Sequence, residues 1–335
     1  MKRFFFLAMV AATALFASCK NDDISVKRDT NFRITLSTIV EPFTYEVENE
    51  ELANLIWGEI RVQLFVYDLD GVLVMSQTHF ADNYAAIINT SLPINNGNYK
   101  VLVVTDAVER DGSEIIRDFW EFDNVDHLNK LTITDNDIYY PVAPLSMMGV
   151  KLQDVEINAT SNDVININVE PAGALILNRI RNYNSYSDVE LIALRSSKYM
   201  QSILFNVNDE CIYQKYPLES GTVKVIDTCK PDPEYGGERS FIFMLPTTNV
   251  QFDYVVRLDN GDVIPVSESM SAELNKGDEW LVILDFDDEE TGEITYSCTK
   301  ITDSTISSTR ALDVNTECAK FNAKESNSYK IIDLI

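Results

Sequence analysis

The chain has 335 residues, 45% of them hydrophobic and 24% charged, with 12 glycines and 10 prolines. That is apolar material for about two globular domains of ~150 residues each, and it excludes a collagen-like or linker-dominated chain. Fifty-three acidic residues against 27 basic ones give a formal charge of −26, which excludes nucleic acid as a partner, because affinity for phosphate backbones rests on lysine and arginine.

The first element is an export signal. Lys2 and Arg3 precede an unbroken apolar run from Phe4 to Phe16, followed by Ala17, Ser18 and Cys19. Thirteen helical residues reach only ~20 Å, short of the ~30 Å hydrocarbon core, so the segment reads as a signal peptide and not as a permanent span. Leu15-Phe16-Ala17-Ser18-Cys19 resembles a bacterial lipobox, with Phe16 where an aliphatic residue is usual. Residues 1–18 are then removed, Cys19 is lipidated, and residues 19–30 form a linker. Two or three acyl chains anchor stably where one binds only marginally. Lys20-Asn21-Asp22-Asp23 looks like the acidic tag that sends such proteins to the outer face of the outer membrane. Loss of Lys2 and Arg3 leaves 25 bases against 53 acids, a mature charge of −28.

Strand signals dominate the mature chain. A strand is expected at Phe32 to Ser37, and Asn49 with Glu50 and Glu51 starts a short helix carrying Leu52, Leu55 and Ile56. Val62, Leu64 and Val66 alternate with Gln63, Phe65 and Tyr67, and Asp70-Gly71 turns the chain into Val72 to Met75, a hairpin signal. Tyr99 to Thr105 is apolar on both faces apart from Lys100, the pattern of a central strand. Further strands are expected at Leu128 to Thr134, Val155 to Asn158 and Asp163 to Glu170. Pro171-Ala172-Gly173 marks a boundary, giving sandwiches over 31–165 and 166–300 and an extension over 301–335. The second series runs through Ala174 to Arg181, Val189 to Leu194, Thr222 to Ile226, Phe241 to Leu245 and Phe252 to Leu258. Asn260-Gly261 then turns into Val263 to Val266, followed by Trp280 to Phe286 and Ile294 to Thr299. Without helix-length patterns between strands, the fold class is all-β, with about seven strands in each of two sandwiches.

The hairpin Val62 to Gly71, Leu92-Pro93 with Gly97 to Val101, the block Pro144-Leu145-Ser146-Met147-Met148-Gly149, and the close Leu274 to Trp280 resemble, in that order, the fimbrial anchor and fimbrillin-like lipoproteins of Bacteroidales, the type V pilus group. The resemblance implies two tandem transthyretin-like β-sandwiches and a surface lipoprotein that anchors or terminates a fimbrial polymer. It implies fimbrial subunit proteins as partners and no cofactor. A free sheet edge accepts a partner strand through backbone hydrogen bonds, and Tyr329 to Ile335 is a strand-capable donor or a last strand of its own sheet.

Four further cysteines, Cys211, Cys229, Cys298 and Cys318, form an even set in an oxidising compartment. Closeness in sequence favours Cys211 with Cys229 and Cys298 with Cys318, while strand parity makes Cys298 a buried thiol instead. With two histidines, His79 and His127, and no G-x-S-x-G, H-E-x-x-H, P-loop or G-x-G-x-x-G motif, no enzyme is expected. Asp285, Asp287, Asp288, Glu289 and Glu290 read as a solvated hairpin tip before a Ca²⁺ site, and Asp68 to Gly71 as a turn. The alternative function is glycan binding in a polysaccharide-uptake system, which needs an aromatic platform. Trp120 is its best exposed candidate, followed by Tyr139, Tyr140, Tyr183 and Tyr186, whereas Trp280 has core parity.

Overall fold

A computed structural model describes residues 28–36, 59–81, 86–136, 142–143, 148–158, 164–183, 188–205, 211–215, 223–230, 237–286 and 294–301. Period-two alternation makes most of these residues strand. In the first half the strands are β1 (Arg28–Leu36), β2 (Glu59–Tyr67), β3 (Leu73–Ala81), β4 (Ile87–Ile94), β5 (Gly97–Asp111) and β6 (Glu114–Asp118). They continue through β7 (Trp120–Asp123), β8 (Thr132–Asp135), β9 (Val142–Ala143), β10 (Met148–Ile157) and β11 (Ile165–Pro171). The second half holds β12 (Ala174–Arg181), β13 (Val189–Ser196), β14 (Met200–Phe205), β15 (Cys211–Lys215), β16 (Lys224–Cys229) and β17 (Gly237–Met244). Last come β18 (Thr247–Leu258), β19 (Val263–Pro265), β20 (Met270–Leu274), β21 (Glu279–Asp285) and β22 (Thr295–Lys300). The fold is all-β, with the sheets stacked as sandwiches.

One pairing pattern occurs twice. In the first half β1 lies between β4, antiparallel, and β11, parallel, while β2 lies between β3 and β5, and β5 pairs with β10. In the second half β12 lies between β17, antiparallel, and β21, parallel, while β13 lies between β16 and β18, and β18 pairs with β20. The two versions differ at one side of the sandwich. In the first, β10 pairs directly with β11 at Gly149↔Pro171 and Val150↔Glu170; in the second, β21 pairs instead with the additional strand β22.

β5 is buried on both faces from Tyr99 to Val108 and sits between β2 and β10, the central place its sequence requires. Its inner face joins Val62, Leu64 and Val66 of β2 in the core. Its outer neighbours on β2 are covered by β7 and the chain after it: Phe65 meets the Phe122 ring at 6.4 Å, and the Tyr67 hydroxyl donates to Val125 O at 3.0 Å. The expected strand from Leu128 instead begins as a 3-10 turn over Leu128–Lys130, with β8 starting at Thr132. The reason is local: Leu128 N donates to Gly71 O (2.8 Å), tying the segment down to the β2–β3 turn. The region read as a short helix, Asn49 to Gly58, lies outside the described residues.

Candidate interaction edges

A sheet offers a partner its backbone only where a strand has an unpaired side, so the ends of the sheets are the places to look. The ends of the first sandwich are β3 and β4, and they face each other: the Thr90 hydroxyl hydrogen-bonds the Gln77 side-chain oxygen at 2.8 Å. The corresponding strands of the second sandwich, β16 and β17, meet in the same way through more polar chemistry. Asp227 on β16 accepts from Ser240 Oγ, from Asn178 Nδ2 (2.5 Å) and from the Thr228 backbone N–H (2.9 Å). The buried Tyr254 hydroxyl donates to Asn178 Oδ1. Burial pushes the Asp227 carboxyl above its ordinary range, against the pull of these hydrogen bonds. The other side of β17 takes β9 at Phe241 and Ile242.

β22 is different. It closes the order β22-β21-β12-β17-β9, paired to β21 over six residues from Thr295 to Lys300 with no strand hydrogen-bonded to its other side among the described residues, and with β20 of the facing sheet packed near it. Tyr296, Ser297, Thr299 and Lys300 are exposed, while Ile294 and Cys298 pack against the second core. Burial pushes the Cys298 thiol up to about 12, so little thiolate forms there at neutral pH. The remaining end strands are shorter or interrupted: β7 and β15 have four and five residues, and β19 has three and ends in Pro265.

Of the residues the sequence singled out, Cys19, Cys318 and Tyr329 to Ile335 lie outside the described residues, as do Asp287 to Glu290. Cys211 opens β15, opposite Phe205. Cys229 is buried in the second core. Cys229 from β16 and Cys298 from β22 both reach the second core, where each acts electrostatically on the buried Tyr254 hydroxyl. Asp285 accepts a hydrogen bond from Asn182 Nδ2 (2.8 Å). Asp68 is a turn residue as read, its carboxylate accepting from Val72 N (2.8 Å) with Gly71 at φ +79°.

The aromatic platform needs correction. Trp120 is only 2% exposed, its ring edge-on to Phe243 at 6.4 Å, because β7 is an inner cover and not a surface loop. Tyr183 is buried as well. Trp280 packs against the second core with its indole N–H unpartnered among the described residues. Tyr139, Tyr140 and Tyr186 lie outside the described residues.

A buried ion cluster escaped the sequence reading. Arg61 on β2 grips Asp106 through Nε (2.9 Å) and Nη2 (2.5 Å), and Asp118 through Nη1 (2.7 Å) and Nη2 (2.8 Å), with its guanidinium carbon 4.9 Å from the Phe122 ring centre. Burial works against the charge on Arg61, but the two carboxylates outweigh it and hold its pKa above the ordinary value. Asp106, wholly buried, is pushed up to about 6 by desolvation, which Arg61 opposes and Asp118 reinforces. Its signal was present in the sequence as Arg61 and Asp106, charges set within otherwise apolar strands.

No family model matches the chain, and no curated protein matches it. Among solved structures it is similar to a candidate adhesin from Bacteroides ovatus, at 13% identity and TM-score 0.46 over 85% of this chain and 96% of that one. It is similar to a candidate polysaccharide-binding protein from Bacteroides thetaiotaomicron, at 10% identity and TM-score 0.45 over 82% and 99%. It is also similar to the tip fimbrial protein Mfa3 of Porphyromonas gingivalis, at 8% identity and TM-score 0.43 over 82% and 100%.

Proposed function

We propose that this chain is a non-enzymatic lipoprotein of the outer membrane, held by acyl chains on Cys19, that anchors or supplements a fimbrial polymer by pairing a sheet edge with a strand of a neighbouring subunit. Residues 31–165 and 166–300 are then tandem sandwiches, and export leaves the remaining cysteines in a compartment that permits disulfides. The observation that carries the reading is β22: a regular strand of six residues at the end of a sheet, paired on one side only among the described residues. Strand addition at such an edge supplies backbone hydrogen bonds for affinity and side-chain alternation for specificity. A glycan-binding role is the weaker reading, because the rings it most needed, Trp120 and Tyr183, are interior.

Deleting the gene and measuring fibre length and shedding tests the reading. Overlong or detached fibres are expected. Normal fibres with lost growth on one polysaccharide would replace it with glycan uptake. Separately, Cys19→Ala is expected to convert a membrane-pelleting protein into a soluble one in fractionation, and unchanged pelleting defeats the lipid attachment.

A further inference from the structure

Tandem domains joined by a short linker move relative to each other unless their contact is large and apolar. Here the contact goes beyond side chains. The hairpin of β14 and β15 comes from the second half, yet β14 pairs with β8 of the first, through Ser202↔Thr134, Ile203↔Ile133 and Leu204↔Thr132. Thr134 Oγ1 and Ser202 Oγ lie 3.0 Å apart, and Ile203 and Phe205 are buried in the first core. Beside this pairing, the buried Tyr199 hydroxyl donates to the buried Asp135 carboxylate at 2.5 Å, with the Lys224 ammonium 3.7 Å from the Tyr199 ring centre.

The exchange is mutual. β9, from the first half, pairs with β17 of the second. β12 serves both cores by its own alternation: Leu175 and Leu177 face the first, Ala174, Ile176 and Ile180 the second. The chain crosses from β11 to β12 in two residues, Ala172 and Gly173. A Cβ on Gly173 would run into Met244 O, so the crossing is pressed against β17.

We infer that the two halves form one cooperative, hinge-free body, with the β14–β15 hairpin as a strap that the second half lays across the first. The first core is completed by Leu175, Ile203, Phe205, Phe243 and Leu281 of the second half, whereas the described residues of the second core all come from the second half, so loss of either half uncovers apolar side chains of that shared first core. The inference does not depend on the fimbrial reading.

Urea unfolding of the mature chain, followed by native-state hydrogen exchange, tests it. The amides of β5 and β18, central in the two sandwiches, are expected to reach their global exchange limit at the same urea concentration, with one transition by tryptophan fluorescence and circular dichroism. Ile203→Asp, which places a charge under the strap, is expected to separate the two regions and to speed exchange in β8 and β14 on the order of tenfold or more. Tyr199→Phe, which keeps the ring, is expected to lower the midpoint without separating them. Two transitions in the unaltered chain overturn the inference, as does an Ile203→Asp variant in which β5 and β18 still coincide.

Discussion

Three residues show how burial sets consequences that their sequence neighbours do not. Gly173 has no room for a methyl group, since a Cβ would overlap the Met244 carbonyl oxygen, which cannot rotate away. Gly173→Ala is therefore expected to cost about 1–3 kcal/mol, read as a lower urea midpoint. Arg61 neutralises two carboxylates, one wholly buried, and Arg61→Ala strands both; the expected loss is about 3–5 kcal/mol in chemical denaturation. Glu279 is 9% exposed, has no ion pair among the described residues, and is pushed up to about 7 by burial alone. In the unfolded chain it ionises near 4.5, so the folded state binds the extra proton between those values. The stability it contributes is complete below 4.5 and is lost as pH rises through 7. Glu279→Gln should thus match the unaltered protein at pH 4.5 and exceed it at pH 8 by about 1–2 kcal/mol after solvent screening, in paired urea melts.

Among the elements, the paired seams give a matched comparison. Thr90→Val removes a neutral, half-buried hydrogen bond to Gln77 and is expected to cost about 0.5–1.5 kcal/mol. Ser240→Ala takes a donor from a buried carboxylate at the corresponding seam and is expected to cost about 1–3 kcal/mol; the order of the two thermal midpoints decides. How far the elements were legible depends on what each strand faces. β11 followed from alternation, and β5 from being apolar on both sides. β4 was missed because Pro93 and its polar neighbours break the pattern, which an end strand tolerates with Pro93 exposed. β14 was missed because its partner β8 lies in the other half, and pairing over that distance leaves no local trace. Trp120 was misplaced for the same reason: Phe119 to Phe122 reads as a loop carrying rings until the sheet beneath it is known. The proposed lipid site rests on a motif read from sequence alone, whereas the end position of β22 follows only from knowing which strands lie beside it.

For the molecule as a whole, the repeated order of pairing has a mechanical corollary. In the first unit the opening strand lies next to the closing strand and points the same way, β1 beside β11; in the second β12 lies likewise beside β21, after which β22 runs antiparallel. The polypeptide therefore enters the first unit at one pole and departs from the opposite one, whereas in the second unit β22 carries it back toward the pole at which β12 begins. Tension applied between the ends of the first unit loads β1 and β11 in shear, where the rungs between them must give way together and not one at a time as in an unzipping hairpin. On the proposed anchoring role, that geometry would resist the drag a filament transmits.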